Sequence, residues 1–536
     1  MVKLSGWDAG SRSLSNEVLR VYQRREFWIV LVLAVVVYGW NFWGPSIYML
    51  DEAKNAGSAA EMIRRNDVFV PTFNNEFHDK PALQYFFMIA GYWLFGVGPF
   101  GARVFSVVMG ILTVLSIYWF SSKVFNSKTA LFASLIYISS LQLAVQFRLA
   151  VPDPYLLFCL TMAWFCFYLG YSTNVRRYLY FFYVLTGLAF LAKGPIAFAL
   201  TGLAILIFLL WQRELTIKRL IELRLIPGTI ITLTVGLSWY VGSGIATGWE
   251  WPRYFFFTHN LDRYVNTFEG HGGFPFDVVV IAFAALLPSS VLAPQAIAEA
   301  VKRRRENSVF TFALSVCIAV LGFFFFSKTL LPSYPAPCFA FLAILLGNYI
   351  GSANVIPSVK VSAVCALVIC AAMPAAAVIA IDQDPVLTQL SGYWGIFTIA
   401  PLGALLALFL VFRKKLVYAF YAWTGGFMIL LIPVFTWMLP DIDNQNPVVR
   451  SAALTGDNKT LAYYKRVNPA FVHQHQKPIP KLETPEDVID FIAEHPNAVI
   501  ISTASDWEES GIPGFKMIFR SRDLFESPES VILIKE

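Results

Sequence analysis

Charged residues are scarce in this chain of 536 residues: Asp, Glu, Lys and Arg make up 14% of it, whereas hydrophobic residues make up 57% and aromatic residues 16%. Soluble domains usually carry about 25% charged residues, so the composition excludes an ordinary water-soluble protein. The net charge of +6 does not indicate nucleic-acid binding, because the basic residues concentrate in short segments between apolar runs. The chain is therefore predicted to be a polytopic membrane protein.

Cysteine motifs, internal repeats and a cleavable signal peptide are also missing. The six cysteines lie in apolar runs without CxxC spacing, so they are interpreted as buried small hydrophobes and not as disulfides. Basic residues precede the first apolar run and no small-residue cleavage site follows it, so Phe27 to Trp43 is predicted to be a retained first span. A secondary transporter usually shows repeats and charges near the bilayer midplane, which leaves transport as the less favoured alternative.

Apolar runs long enough to cross a bilayer are plentiful. Thirteen of them are predicted to be spans: 27–44, 101–121, 129–149, 154–171, 178–192, 195–211, 225–245, 276–298, 308–326, 332–350, 359–381, 393–412 and 417–439. A fourteenth run, 82–96, is the shortest. We interpret it as a juxtamembrane helix in the interface, because its crossing would turn the basic "KRRRE" and "RKK" loops outward.

Lysine and arginine then follow the positive-inside rule. With thirteen crossings and a cytoplasmic N-terminus, 21 Lys and Arg before residue 440 face the cytoplasm and ten face outward. The predicted organisation is a cytoplasmic tail (1–26), a transmembrane domain (27–439) with a long first external loop (45–99), and an extracytoplasmic domain (440–536).

The C-terminal region is polar, and its pattern predicts a small α/β domain. "TPEDVIDFIAEHP" predicts a helix with Thr484 as N-cap and Pro485 in the first position. Strands are predicted at "PAFVHQHQ", "AVIIST", "FKMIFRS" and "SVILIKE". A cover over the mouth of an active site is the favoured role, and a separate binding function is the alternative.

Ionisable side chains at the outer ends of the spans are the candidate functional residues, since charge beside a bilayer is costly enough to suggest function. They come from six separate segments of the chain. The candidates are Asp51, Glu52, Lys54, Asp79, Lys80, Asp153, Lys193, His259, Arg263, Lys328 and Tyr334.

Each candidate also has a structural interpretation. Asp51 and Glu52 suit the N-terminus of a helix, Lys80 and Lys328 suit snorkelling lysines, and Asp153 suits a turn between prolines. Because all six segments are predicted to meet on one membrane face, the functional interpretation is favoured.

Several of these motifs together resemble one family. "YMLDEAKNAGSAAEMIRRNDVFVPTFNNEFHDKPALQYF" is similar to the first-loop signature of ArnT-like aminoarabinose transferases, polyprenyl-phosphate-sugar glycosyltransferases of the GT-C superfamily. The resemblance continues at "GPFGARVFSVVMGIL", "VPDP", "LAKGP" and "SKTLLPSYPAP", and so covers residues 45 to about 350. Protein O-mannosyltransferases share the Asp-Glu pair and the architecture, and they remain an alternative.

Two positions depart from the family pattern. Lys54 stands where family members commonly carry Arg, and Asp79 where they commonly carry Glu. Both substitutions keep the charge, but a lysine cannot make the bidentate phosphate contact of an arginine.

The resemblance implies an all-α membrane fold with a small extracytoplasmic α/β domain, in the bacterial inner membrane, with the site facing the periplasm. It implies an undecaprenyl-phosphate-linked sugar as donor, lipid A or another glycan or protein as acceptor, and inversion at the anomeric carbon. The lysines, with Arg263, would hold the donor phosphate, and Asp51, or else Asp153, would be the general base. Glu52, Asp79, His259 and Tyr334 would contact substrate; a divalent metal held by Asp51 or Asp79 stays open.

Overall fold

The computed structural model describes residues 24–261, 274–328, 330–352, 356–456, 459–524 and 528–536. Helices occupy the chain as far as residue 455, and a small sheet with three further helices follows. Helices α1 to α12 are Arg25–Gly39, Leu50–Arg65, Leu83–Phe95, Pro99–Val124, Ser127–Ile138, Leu141–Gln146, Asp153–Thr173, Arg176–Lys193, Ile196–Gln212, Ile217–Glu222, Leu225–Ala246 and Glu250–Arg253. Helices α13 to α19 are Asp277–Ala285, Ala293–Arg303, Ser308–Phe325, Phe339–Gly351, Ile356–Asp382, Ile399–Phe412 and Leu416–Pro433.

The remaining elements are short. Helices α20 to α25 are Leu439–Asp443, Pro447–Arg450, Ala452–Thr455, Pro469–His475, Pro485–Glu494 and Ala504–Ser510. A π-helical segment, Tyr254–Leu261, follows α12 directly. Strands β1 to β7 are Thr72–Phe73, Glu76–Phe77, Leu461–Tyr464, Lys481–Leu482, Val499–Thr503, Phe515–Arg522 and Glu529–Lys535.

The membrane class predicted from composition is confirmed, although fewer helices meet a strict length criterion than the thirteen predicted spans. Within the described residues, seven helices are long and apolar enough to cross a membrane, and a bent helix pair makes an eighth. Every one of the thirteen apolar runs coincides with one or more helices. The difference arises because several runs form shorter or interrupted helices, such as α5 with 12 residues.

The predicted span 276–298 is not one straight helix, which corrects the sequence interpretation. Helices α13 and α14 meet at an angle of 113°. Pro288 lies at the break, where it removes a backbone donor and prevents the helix from continuing. The Phe276 ring lies 5.2 Å from the ring of Phe325 at the end of α15, whereas Arg303 lies 5.0 Å from the ring of Phe310 near the start of α15. The bent pair therefore extends along the whole length of α15.

The uncertain run 82–96 forms α3, a helix of 13 residues. At 1.5 Å per residue it is about 20 Å long, less than a bilayer core of about 30 Å. It packs against α4 at Gly91, where an added Cβ would lie 2.1 Å from the carbonyl oxygen of Gly101. Because α16, a predicted span, also has 13 residues, the length alone does not decide the placement, and the juxtamembrane position of α3 stays a prediction.

The C-terminal region forms a five-stranded mixed sheet in the order β4-β3-β5-β7-β6. β3 is parallel to both β4 and β5, and β7 is antiparallel to β5 and β6. The predicted helix is confirmed as α24, with Thr484 as N-cap in a complete capping box and Pro485 in the first turn. Three of the four predicted strands are confirmed as β5, β6 and β7.

The fourth predicted strand is wrong. "PAFVHQH" forms α23, and the side chain of Asn468 caps it by accepting a hydrogen bond from the backbone N–H of Ala470. Pro469 occupies the first turn, where its missing N–H costs nothing. The Asn-Pro pair was the helix signal in this segment, and it outweighs the short alternation of apolar and polar residues.

Candidate functional site

A cavity of about 360 Å³ lies among the ends of several apolar helices. Its polar lining residues are Asp79, Lys80, Asp153, Lys193, Ser327, Ser333 and Tyr334. Its apolar lining residues include Leu156, Leu157, Phe255, Phe256, Phe323 and Phe324. The cavity thus combines charged groups with a mostly apolar lining, which suits an amphiphile with an anionic head.

Asp153 and Lys193 form an ion pair in this lining. Lys193 Nζ lies 2.8 Å from Asp153 Oδ1, and the two side chains are 28% and 14% exposed. Asp153 occupies the first turn of α7 between two prolines, where the positive end of the helix dipole favours a carboxylate. Lys193 ends α8, and Nζ also lies 5.7 Å from the Tyr334 ring centroid. The two residues are 40 positions apart, and their pair joins the start of α7 to the end of the next helix, α8.

The chain can turn away from Lys193 because glycine follows it. Gly194 has φ +76°, and an added Cβ would lie 2.7 Å from the Phe255 ring. Any other residue would be strained there and would displace the aromatic wall. The "LAKGP" motif therefore places both the lysine and the ring beside the cavity.

Asp79 and Lys80 form the second polar group, between β2 and α3. Lys80 Nζ lies 3.0 Å from Asp79 Oδ2, and His78 Nδ1 lies 3.2 Å from Asp79 Oδ1. Burial lowers the pKa of His78 to about 3, although the charge of Asp79 opposes this. A neutral His78 leaves Lys80 as the cation beside Asp79.

Hydrogen bonds from three helices hold His78 in place. Its Nε2 lies 3.1 Å from Asn55 Oδ1 on α2, an atom that also accepts from Gln84 on α3 at 3.1 Å. Its carbonyl oxygen accepts from Trp251 Nε1 on α12 at 2.9 Å. These contacts fix the backbone immediately before Asp79.

Asp51 lies in the first turn of α2 with an exposed side chain, and it is not part of the cavity wall. Partial desolvation raises its pKa, but the positive charges of Lys80 and Lys54 outweigh that effect, so its net pKa lies below the ordinary value. Asp51 is therefore ionised at neutral pH, and its charge interacts with that of Lys80, which lines the cavity. A carboxylate in this state can accept a proton.

Glu52 has a different environment from its neighbour Asp51, and the contact with substrate expected of it stays a prediction. It is 1% exposed, and its two oxygens each lie 2.7 Å from a nitrogen of Arg103 on α4. It also accepts from the backbone N–H of Ala150 at 2.8 Å. Because both oxygens are used, we assign Glu52 a structural role.

Sequence reasoning missed Arg103, although the motif "GPFGARVF" was noted. Besides Glu52, Arg103 donates to the carbonyl oxygens of Phe42, Pro45 and Ser46. It thereby links α4 to the start of α2 and to the segment after α1. The sequence did offer a signal for Arg103, because an arginine within a predicted span is costly and therefore a candidate for a specific role.

The other candidates are distributed around this region. Tyr334 lines the cavity, and the exposed Lys328 follows the lining residue Ser327 without being part of the wall. Lys54 is half-buried and contributes positive charge at Asp51. The backbone of His259 lies in the π-helical segment, but its side chain and all of Arg263 lie outside the described residues.

The described residues that line the cavity all lie between Asp79 and Pro337. In the part of the chain that the structure describes, no group of three or more His, Cys, Asp or Glu could hold a metal ion. The C-terminal domain packs on α2 through α23, and its expected role as a cover over the mouth stays a prediction.

Comparison with known proteins finds similarity over the part of the chain that contains these residues. A family model described as dolichyl-phosphate-mannose-protein mannosyltransferase matches residues 79–239, a range that contains four of the cavity's charged residues. Curated undecaprenyl phosphate-alpha-4-amino-4-deoxy-L-arabinose arabinosyl transferases from Erwinia tasmaniensis and Edwardsiella ictaluri are each 29% identical, over 313 and 331 residues. These matches cover 57% and 60% of this chain but only 55% and 59% of the relatives.

Solved structures show the fold. The crystal structure of ArnT from Cupriavidus metallidurans bound to undecaprenyl phosphate has a TM-score of 0.77 and 18% identity, and covers 97% of this chain and 98% of that one. Its apo state gives a TM-score of 0.76. The resemblance expected from the motifs is confirmed, and this chain has the ArnT-like fold.

Proposed function

We propose that this protein is a membrane glycosyltransferase that moves a sugar from a polyprenyl phosphate to an acceptor outside the cytoplasm. The observation that carries the proposal is the amphiphilic cavity, which is lined by Lys80 and Lys193 and by many aliphatic and aromatic side chains. A polyprenyl chain suits the apolar lining and a phosphate suits the lysines. The names of the curated relatives and the undecaprenyl phosphate in the matching crystal structure support this donor.

The proposed topology has thirteen crossings, a cytoplasmic tail (1–26), a transmembrane domain (27–439) and a periplasmic domain (440–536), in a bacterial inner membrane. The bent pair α13 and α14 supports the number of thirteen crossings. It contacts both the end and the start of α15, so the two helices together can cross the membrane as one straight span would. The positive-inside count supports the orientation. Together they support a cavity on the periplasmic side.

In the proposed reaction, an acceptor oxygen forms a bond to the anomeric carbon while the bond to the phosphate oxygen breaks. The phosphate leaves with the electron pair, and the charges of Lys80 and Lys193 stabilise it as its negative charge grows. Asp153 holds Lys193 at 2.8 Å and so orients the ammonium group. Direct displacement inverts the anomeric centre, since no enzyme-bound sugar forms.

A hydroxyl acceptor must lose its proton, and Asp51 is the base we favour. Its pKa is held below the ordinary value by Lys80 and Lys54 despite partial desolvation, so it is available as a carboxylate. Asp153 is the alternative, but its ion pair with Lys193 makes it a better orienting group. If the acceptor is an ionised phosphate, no proton transfer is required and Asp51 acts through its charge.

For the substrates, we propose 4-amino-4-deoxy-arabinose as the sugar and lipid A as the acceptor, by analogy with the curated relatives and the ArnT structures. Transfer of a hexose to protein is the second candidate, because the matching family model describes a mannosyltransferase that acts on protein.

Mass spectrometry of lipid A and of surface glycoproteins from cells with and without the gene separates the two candidates. A pentosamine mass lost from lipid A supports the first, and a hexose lost from protein supports the second. Purified protein that transfers no sugar from any polyprenyl-phosphate donor would overturn the proposal.

A further inference from the structure

The β1–β2 hairpin (residues 72–77) joins the C-terminal domain to the polar lining residues of the cavity. On its outer side, Asn74 makes a reciprocal amide pair with the backbone of Ile479, between α23 and β4. Asn74 Nδ2 donates to the Ile479 carbonyl oxygen at 3.0 Å, and the Ile479 N–H donates to Asn74 Oδ1 at 2.7 Å. One side chain thus satisfies both backbone groups of a residue 405 positions away.

On its inner side, the hairpin is fixed to α2. Glu61, which is 4% exposed, accepts hydrogen bonds from the Thr72 hydroxyl and from the backbone N–H of Asn74, both at 2.7 Å. Gly57 lets the Phe73 ring lie against the helix, since an added Cβ would come within 2.7 Å of it. The hairpin is therefore held against α2, the helix that carries Asp51 in its first turn.

The chain leaves the hairpin directly into the cavity wall. The His78 N–H donates to the Pro71 carbonyl oxygen at 2.9 Å and closes the base of the hairpin. Asp79 and Lys80 are the next two residues and line the cavity. The hairpin and the hydrogen bonds of His78 to Asn55 and Trp251 thus jointly hold the backbone from which the Lys80 side chain extends.

We propose that Asn74 is a positioning residue, through which the C-terminal domain sets the place of Lys80 against the donor phosphate. This inference rests on the proposed function of the cavity. It assigns the C-terminal domain a role in the arrangement of the site, in place of a cover over its mouth. Asn74 itself touches no substrate, so its whole effect on phosphate binding passes through Lys80.

The backbone of the hairpin provides a clean variant and a matched control. Asn74 and Asn75 have φ values of +54° and +66°, in the left-handed region where glycine is favoured. Asn74→Gly therefore removes the amide pair without straining the turn. Asn75→Gly is the control, because the Asn75 side chain is exposed and makes no hydrogen bond within the described residues.

The test measures the dissociation constant of undecaprenyl phosphate for the full-length protein in lipid nanodiscs, together with its thermal unfolding midpoint. Asn74→Gly is expected to weaken binding about tenfold, within the range of coupling between residues linked through a network. It should also lower the midpoint, because the backbone groups of the buried Ile479 lose this partner. Asn75→Gly is expected to bind like the wild type. Asn74→Asp keeps the acceptor and loses the donor, and it should fall between the two.

A double-mutant cycle separates positioning from general support of the fold. In a Lys80→Gln background, Asn74→Gly should cause no further loss of affinity, because the group that it positions is already gone. A loss that is fully additive to Lys80→Gln, wild-type affinity in Asn74→Gly, or an equal loss in Asn75→Gly would each overturn the inference. Wild-type protein that binds no undecaprenyl phosphate would overturn the proposed function instead.

Discussion

Replacement of Lys80 by alanine tests the cavity as a phosphate site. In the structure the ammonium group is 15% exposed and pairs with Asp79 at 3.0 Å, so it is only partly screened by water. A hydrogen bond to a charged group contributes about 1.5–3 kcal/mol, which corresponds to a loss of about tenfold to 150-fold in affinity. Lys80→Ala should therefore weaken undecaprenyl phosphate binding by that factor.

The same substitution should change the pH dependence of transfer, because Lys80 is the strongest positive influence on Asp51. Desolvation raises the pKa of Asp51, and Lys80 does most to bring it below the ordinary value. Loss of Lys80 therefore raises this pKa. Since Asp51 acts as a base only above its pKa, the acidic limb of the turnover profile should move to higher pH in Lys80→Ala.

The assay uses purified protein in nanodiscs and measures carrier binding and single-turnover transfer from about pH 2.5 to pH 8, so that the window includes the acidic limb of the wild type. Lys80→Arg should retain more activity than Lys80→Gln, because it keeps the charge. Lys516→Gln removes an exposed lysine of the C-terminal sheet and serves as the matched control. Wild-type affinity and an unshifted profile in Lys80→Ala would refute the phosphate-site reasoning and leave Lys80 as a snorkelling lysine.

Three further substitutions or labels follow from the geometry. Asp51→Asn should keep donor binding but lower turnover by about 10²–10⁴-fold, as expected for a general base; near-normal turnover there with collapse in Asp153→Asn would transfer the role to Asp153. Glu52→Gln should lower the thermal unfolding midpoint, because an unpaired buried Arg103 costs about 3–5 kcal/mol; a normal midpoint with weaker substrate binding would restore Glu52 as a substrate ligand. Cysteines introduced at 302–305 should react with membrane-impermeant reagents only from the cytoplasmic side, and labelling from outside would contradict thirteen crossings.

The membrane class and most element positions followed from the sequence because each depends on local properties. Apolar runs must satisfy their backbone hydrogen bonds internally, so they form helices wherever they lie in a bilayer. The N-cap at Thr484 and the strand "AVIIST" are likewise local signals, and both were confirmed. The strand predicted at "PAFVHQHQ" failed because a short alternation was given more weight than the Asn468 cap and Pro469.

The charged residues of the site could be named from the sequence, but their roles could not be separated. Asp51 and Glu52 are adjacent, and nothing in "LDEA" distinguishes them. Consecutive residues on a helix point about 100° apart, so Asp51 and Glu52 face different surroundings. The groups that surround each of them come from distant segments of the chain. Arg103, 51 residues further along the chain, forms an ion pair with Glu52. Asp51 instead remains exposed and interacts with the charges of Lys54 and Lys80.

By itself, then, the sequence determined that this protein is a multi-pass membrane protein with charge collected at the ends of its spans, because burial of apolar residues and the cost of charge in lipid act locally along the chain. Only the tertiary structure decided that Lys193 pairs with Asp153, that the cavity has an aromatic wall from Phe255 and Phe256, and that the C-terminal domain contacts α2 rather than the cavity. These arrangements depend on which helix ends meet across tens or hundreds of residues, and such meetings are set by packing of whole helices and not by any short motif.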